Sequence, residues 1–142
     1  MNDPLGAVDH VAIAVWRESV PAARRFMTEV LGARAGFLMD RPDFSFQHFH
    51  LGDTKFEVLW PTSDDSFLTR FLEKRGEGLH HITLLVDDLE ECCTRLEAQE
   101  IAVVGKDTSQ PQWQQAFISP RSAFGVLYQL AQPHRRRKPA PE

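Results

Sequence analysis

Cysteine is scarce in this 142-residue chain, and the two present, Cys92 and Cys93, are adjacent. Neighbouring cysteines are poorly placed to bridge each other, and there is no CxxC pair to hold zinc, so disulfide and zinc-ribbon scaffolds are excluded. Reduced, partly buried thiols of a cytoplasmic protein are the expectation. No run approaches about 18 uninterrupted apolar residues, so no membrane partner is expected. The opening "MNDPLGAVDH" lacks the basic and apolar regions of a secretory leader. An excess of positive charge is also missing: 16 Lys and Arg stand against 20 Asp and Glu, for a net charge of −4. Without a basic field, no nucleic-acid partner is expected. The one basic run, "PHRRRKP", sits among prolines with no apolar period, and residues 133–142 read as a basic disordered tail. Walker and GxGxxG motifs are absent as well.

What is present is an ordinary globular composition, 42% hydrophobic and 25% charged, with a pattern that occurs twice. "DHVAIAVW" reads as a strand, and "VPAARRFMTEVLG" as a helix with Ser19 as cap and Pro21 in the first turn. Its apolar stripe is Val20, Ala23, Phe26, Met27, Val30 and Leu31, and Gly32 stops it. Strands follow at residues 35–39, 44–51 and 55–60, the last two joined through a Gly52–Asp53 hairpin turn. A linker carrying one short helix leads to "HHITLLV", a strand, and to "DDLEECCTRLEAQE", a helix capped by Asp87 or Asp88. Three more strands are expected at residues 101–104, 115–118 and 126–130. The chain therefore reads β-α-β-β-β, linker, β-α-β-β-β within one domain over residues 1–132. Module one is 8–60, the linker 61–77 and module two 78–132.

Aligning the modules places His10 on His81, 71 residues apart, and Glu57 on Gln129, 72 apart. Glu57 and Gln129 lie inside the apolar runs "FEVLW" and "LYQLA". A polar group in such a place must be paired, solvated in a cavity or bound to a cation. Two imidazoles, a carboxylate and an amide carbonyl suit one divalent ion such as Co²⁺, Zn²⁺, Ni²⁺ or Mn²⁺, with Fe²⁺ also compatible. Singly, each residue has an ordinary structural explanation; the repeat is what groups them as metal ligands. His80, next to His81 on a strand, is expected to face outward and to pack or hydrogen-bond rather than catalyse.

"DHVAIAV", "LGDTKFEVLWPTSDDSFLTRFLEKRGEGLHHI", "VDDLE" and "ISPRSAFGVLYQL" resemble the vicinal oxygen chelate (glyoxalase/bleomycin resistance/dioxygenase) superfamily, and within it the methylmalonyl-CoA epimerases, from about Val8 to Gln132. The resemblance implies an α+β fold in which two βαβββ modules form a cupped mixed β-sheet with flanking helices. It implies a metal held by His10, Glu57, His81 and Gln129. It also implies an epimerase or isomerase acting on a methylmalonyl-CoA-like thioester through a metal-stabilised enolate, and a homodimer. Gln129 stands where these epimerases usually carry Glu, and an amide cannot act as a base. Glu57 is then the leading acid/base group. The second base of the family precedes the third strand, where "LMDRPDF" offers Asp40 and Asp43; His48 and His50 are further candidates. Arg41, Lys74, Lys106 and Arg121 are loose candidates for a CoA site.

Two alternatives stay open. A glyoxalase I-like lyase/isomerase shares the ligand set, but Ala14 stands where that family places an Arg. A non-catalytic, resistance-type binding protein would use aromatic residues such as Phe44, Phe46, Trp60, Trp113 and Tyr128 to line a cleft. Such relatives generally lack the metal set. An extradiol dioxygenase would need a carboxylate where Gln129 stands.

Overall fold

The computed structural model describes residues 3–134, so most of the proposed basic tail lies outside the described residues. The architecture is α+β, with two βαβββ modules. The chain divides into two compact units, Asp9–His81 and a second that takes the residues up to Val8 and resumes at Ile82. The division falls within strands β1 (Ala7–Ala14) and β5 (Gly78–Leu85), a few residues from the boundary the repeat suggests.

In the first unit, β2 (Arg34–Asp40), β3 (Phe44–Leu51) and β4 (Thr54–Pro61) form an antiparallel meander, and β4 pairs in parallel with β1. The β3–β4 hairpin turns at Gly52–Asp53, with Leu51 opposite Thr54 and a positive φ of 57° at Gly52. Glycine takes that φ without the clash a Cβ would bring. Alternation sends Ile13, Val15, Val58 and Trp60 to one face, where they pack with Val20 and Met27 of the first helical segment. Ala12, Ala14 and Leu59 point the other way, against Leu68 and Leu72 of α2 (Phe67–Arg75). Helix α2 is started by Ser66, whose Oγ accepts from the Leu68 N–H, and ends at Gly76 with φ 77°.

The first helical segment departs from expectation. It begins as a 3₁₀ turn at Arg17–Ser19, is α-helical only over α1 (Val20–Arg25), and widens to a π turn at Phe26–Val30. Ser19 is itself helical and makes no side-chain cap. The wide turn breaks the 3.6-residue period, so Met27 stays buried while Phe26 and Val30 come out 51% and 68% exposed.

In the second unit, β5 pairs in parallel with β8 (Tyr128–Pro133), and β7 (Trp113–Ile118) joins β8 to β6 (Val103–Asp107) in antiparallel fashion. Helix α3 (Leu89–Glu97) starts at Asp88, whose carboxylate accepts from the Glu91 N–H, and buries Leu89, Cys92, Cys93 and Leu96. Strand β6 runs past the expected Val104 with a bulge before Asp107, and Gly105 takes φ 62° there. Strand β8 extends to Pro133, so the chain is still ordered where the tail was expected to begin. No helix among the described residues is long and apolar enough to cross a membrane.

Candidate metal centre

The parallel ladders keep the repeat in register. Ala12, two residues after His10, lies opposite Glu57; Thr83, two residues after His81, lies opposite Gln129. Partners in register share a face, and so do residues two apart on a strand, so His10 and Glu57 look into the same space above their sheet. That face is also the one α2 covers, which is why both side chains are buried, at 4% and 8% exposure, as is His81 at 7%.

Within the first unit the structure brings His10, Glu57 and His81 together, one potential ligand atom from each lying within 4.8 Å of the others. The His10 Nε2 and Glu57 Oε2 atoms are 3.2 Å apart. Behind His10, Asp9 Oδ2 lies 2.7 Å from Nδ1, and the Lys55 ammonium lies 3.0 Å from the same oxygen. The hydrogen bond from His10, with Lys55, holds the Asp9 carboxyl down at about 2 against the opposing cost of burial. An ionised carboxylate accepts only, so His10 donates through Nδ1 and turns Nε2 toward Glu57. A lone pair and a carboxylate oxygen 3.2 Å apart repel unless positive charge lies between them, as a proton or as a metal ion. Ion–ligand bonds of about 2.0–2.2 Å place cis ligands about 3 Å apart, so this donor set fits a divalent first-row ion.

His48 joins the cluster from β3. It lies opposite Glu57 across the β3–β4 ladder, with its Nε2 3.1 Å from the same Oε2. Its ring is 5.2 Å from Phe46 and 5.9 Å from His10. Asp40, at the end of β2, instead accepts from Ser45 Oγ at 2.9 Å. Gln129 belongs to the second unit, where its Oε1 accepts from Thr83 Oγ1 at 2.7 Å and its Nε2 donates to Gln115 Oε1 at 2.9 Å. Of the aromatic candidates, Phe44 and Phe46 line the α2 face. Trp60 is buried on the opposite face, with the Arg24 guanidinium 5.7 Å from its ring. Among the basic candidates, Arg41 stacks over Phe44 at 5.6 Å and Lys106 pairs with Glu90 at 2.6 Å.

His80 packs and hydrogen-bonds as expected, but it is not turned outward. Its Nδ1 reaches back to His81 Nδ1 at 2.7 Å, while Phe71 meets its ring edge-on at 4.7 Å and Phe67 lies 5.8 Å away. Burial, aided by Arg75 and opposed by Glu57, pushes its pKa down to about 4, so the ring is neutral at physiological pH. Sequence reasoning missed the partnership of Asp9 with His10 and the particular partners of His80. The adjacent pairs "DH" and "HH" were visible, but side chains can bend back along a strand in a way alternation does not foretell.

Residues 9–118 match the glyoxalase/bleomycin resistance protein/dioxygenase superfamily, and the chain belongs to it. Its relatives are more particular. It is 36% identical over 135 residues to the uncharacterized protein YqjC of Bacillus subtilis (strain 168), covering 91% of this chain and 94% of that protein. It is 32% identical over 133 residues to the mitochondrial methylmalonyl-CoA epimerase of Bos taurus, covering 90% of this chain and 75% of that one. The crystal structure of methylmalonyl-CoA epimerase from Mycobacterium tuberculosis matches with a TM-score of 0.77 at 25% identity, over 94% of this chain and 92% of that one.

Proposed function

We propose that this protein is a metal-dependent epimerase or isomerase of a methylmalonyl-CoA-like thioester. The observation that carries the reading is the buried His10–Glu57–His81 group, with Glu57 Oε2 shared between His10 and His48. The similarity to methylmalonyl-CoA epimerases supports the substrate class. The C2 proton of such a substrate, flanked by a thioester and a carboxylate, is acidified by delocalisation of the resulting charge. A bound divalent ion would add Lewis-acid stabilisation of that enolate charge. The ion would be held by His10 Nε2, Glu57 and His81.

The chain's own residues handle the proton. Glu57 serves as acid/base as well as ligand. His48, 3.1 Å from Glu57 Oε2, is the second proton carrier: it takes at Nε2 the proton that Glu57 removes from C2 and returns a proton to the enolate carbon, which restores both groups. This favours His48 over Asp40, whose contact is Ser45. Gln129 has no basic lone pair; its place as a fourth ligand rests on its repeat position and on the family resemblance. The buried Ala12 and Leu59, with the partly buried Phe46, make that face apolar and limit water beside the reacting centre.

The test is incubation of methylmalonyl-CoA in D₂O with Co²⁺-loaded protein and a metal-stripped control, followed by NMR at C2. Metal-dependent exchange with racemisation is the expected result. Exchange without racemisation would mean that one group does all the proton transfer and would remove His48 from the scheme. Absence of exchange in protein shown to hold cobalt would contradict the epimerase reading.

A further inference from the structure

The two histidine ligands are backed differently. Asp9 behind His10 is a carboxylate and can only accept, so a neutral His10 has one tautomer available. Behind His81 stands a second imidazole, and the Nδ1–Nδ1 separation of 2.7 Å requires that one ring donate and the other accept. Two arrangements satisfy this bond. In one, His81 donates from Nδ1 and its lone pair sits at Nε2. In the other, His80 donates, and the His81 proton moves to Nε2, where it blocks ligation by that nitrogen. With Nδ1 committed to His80 in either case, Nε2 is the nitrogen His81 offers to a cation, and only the first arrangement can bind one. The identity and placement of His80 therefore bear on the readiness of the centre.

We propose that His80 is a positioning residue for His81. Its Nδ1 accepts the His81 Nδ1–H, fixes the tautomer whose lone pair is at Nε2, and holds the ring plane for a divalent cation. The inference rests on the metal reading above and deepens it. Phe71, edge-on at 4.7 Å, and Phe67, at 5.8 Å, clamp the His80 ring from α2. The helix that closes this face thus also sets the ligand, and α2 is joined to it through Gly76 and the Glu77 carboxylate, which accepts from the Trp16 N–H at 2.9 Å. The roles parallel Asp9–His10, with a neutral acceptor in place of a charged one. The His81 imidazole is thereby left less electron-rich than His10, the weaker of the two nitrogen ligands.

The experiment is titration of purified protein with Co²⁺ alone, read by its visible absorption, for the parent, His80→Phe and His80→Asn. Phenylalanine preserves the packing against Phe67 and Phe71 but offers no acceptor; the asparagine amide oxygen stands near the place of Nδ1. The expected result is a loss of about 10- to 100-fold in affinity for His80→Phe, the usual range for a partner behind a ligand. His80→Asn should recover most of it, with circular dichroism confirming that both variants fold. A long-range ¹⁵N–¹H spectrum of the Zn²⁺-loaded parent should show the His81 proton on Nδ1. Parent-like affinity in folded His80→Phe, or a His81 proton on Nε2, would overturn the proposal and leave the metal centre standing. Failure of the parent itself to bind Co²⁺ would overturn both.

Discussion

At the scale of the residue, the centre depends on one oxygen. Glu57 Oε2 lies 3.2 Å from His10 Nε2 and 3.1 Å from His48 Nε2, so substitutions around it should separate binding from proton transfer. His48→Asn is expected to slow C2 exchange by at least about 100-fold, the lower end for loss of an acid/base group, while cobalt affinity changes by only a few-fold. A parallel loss of affinity would make His48 a ligand instead. Asp9→Asn removes the anion behind His10 and is expected to weaken Co²⁺ binding about 10- to 100-fold, as read by titration. The grouping of His10, Glu57 and His81 was legible because the repeat set His10 on His81 and Glu57 on Gln129, which singled out polar residues inside apolar strands. Their supporting partners were not. Asp9 and His80 sit beside ligands on strands, where alternation assigns them to the opposite face, and only the bent-back side chains reveal the contacts.

At the scale of the element, most boundaries followed from period and turn chemistry. Strand β3 matched its alternation from Phe44 to Leu51, and Gly52–Asp53 made the hairpin. The π turn at Phe26–Val30 could not be read, because a stripe counted at 3.6 residues assumes the helix it is meant to detect. Strand β6 was placed too early since its second half, Gly105 to Asp107, is exposed and polar and carries no apolar signal. The caps give a stability test. Ser66→Ala and Asp88→Ala should each cost about 1 kcal/mol in chemical denaturation. Gly6→Ala should cost more, because a Cβ there would meet the Leu85 carbonyl oxygen of β5 within the second unit. On α3, burial first, and the neighbouring thiol second for Cys92, raises both thiol pKa values above the ordinary range. The unfolded chain therefore ionises these thiols first, and stability should be unaffected below the ordinary thiol pKa and fall as pH rises through it. Alkylation of Cys92 and Cys93 in native protein at pH 8 should be slow, and fast after unfolding. Rapid native labelling would contradict their burial.

At the scale of the whole molecule, each unit has its own apolar core, around Leu89, Leu96 and Leu130 in one and around Phe49, Val58, Leu59 and Leu68 in the other. The fold should therefore form without a cation. Binding would add stability only by mass action, about 2.7 kcal/mol at a free ion concentration 100 times Kd, visible as a concentration-dependent rise in Tm. The measurement that tests the central claim most directly is metal stoichiometry by equilibrium dialysis and elemental analysis, on the parent and on His10→Ala and Glu57→Ala. One Co²⁺ per chain in the parent and a loss of at least about tenfold in affinity in each variant is the predicted result. Equal binding by parent and variants would place any cation elsewhere and contradict the account.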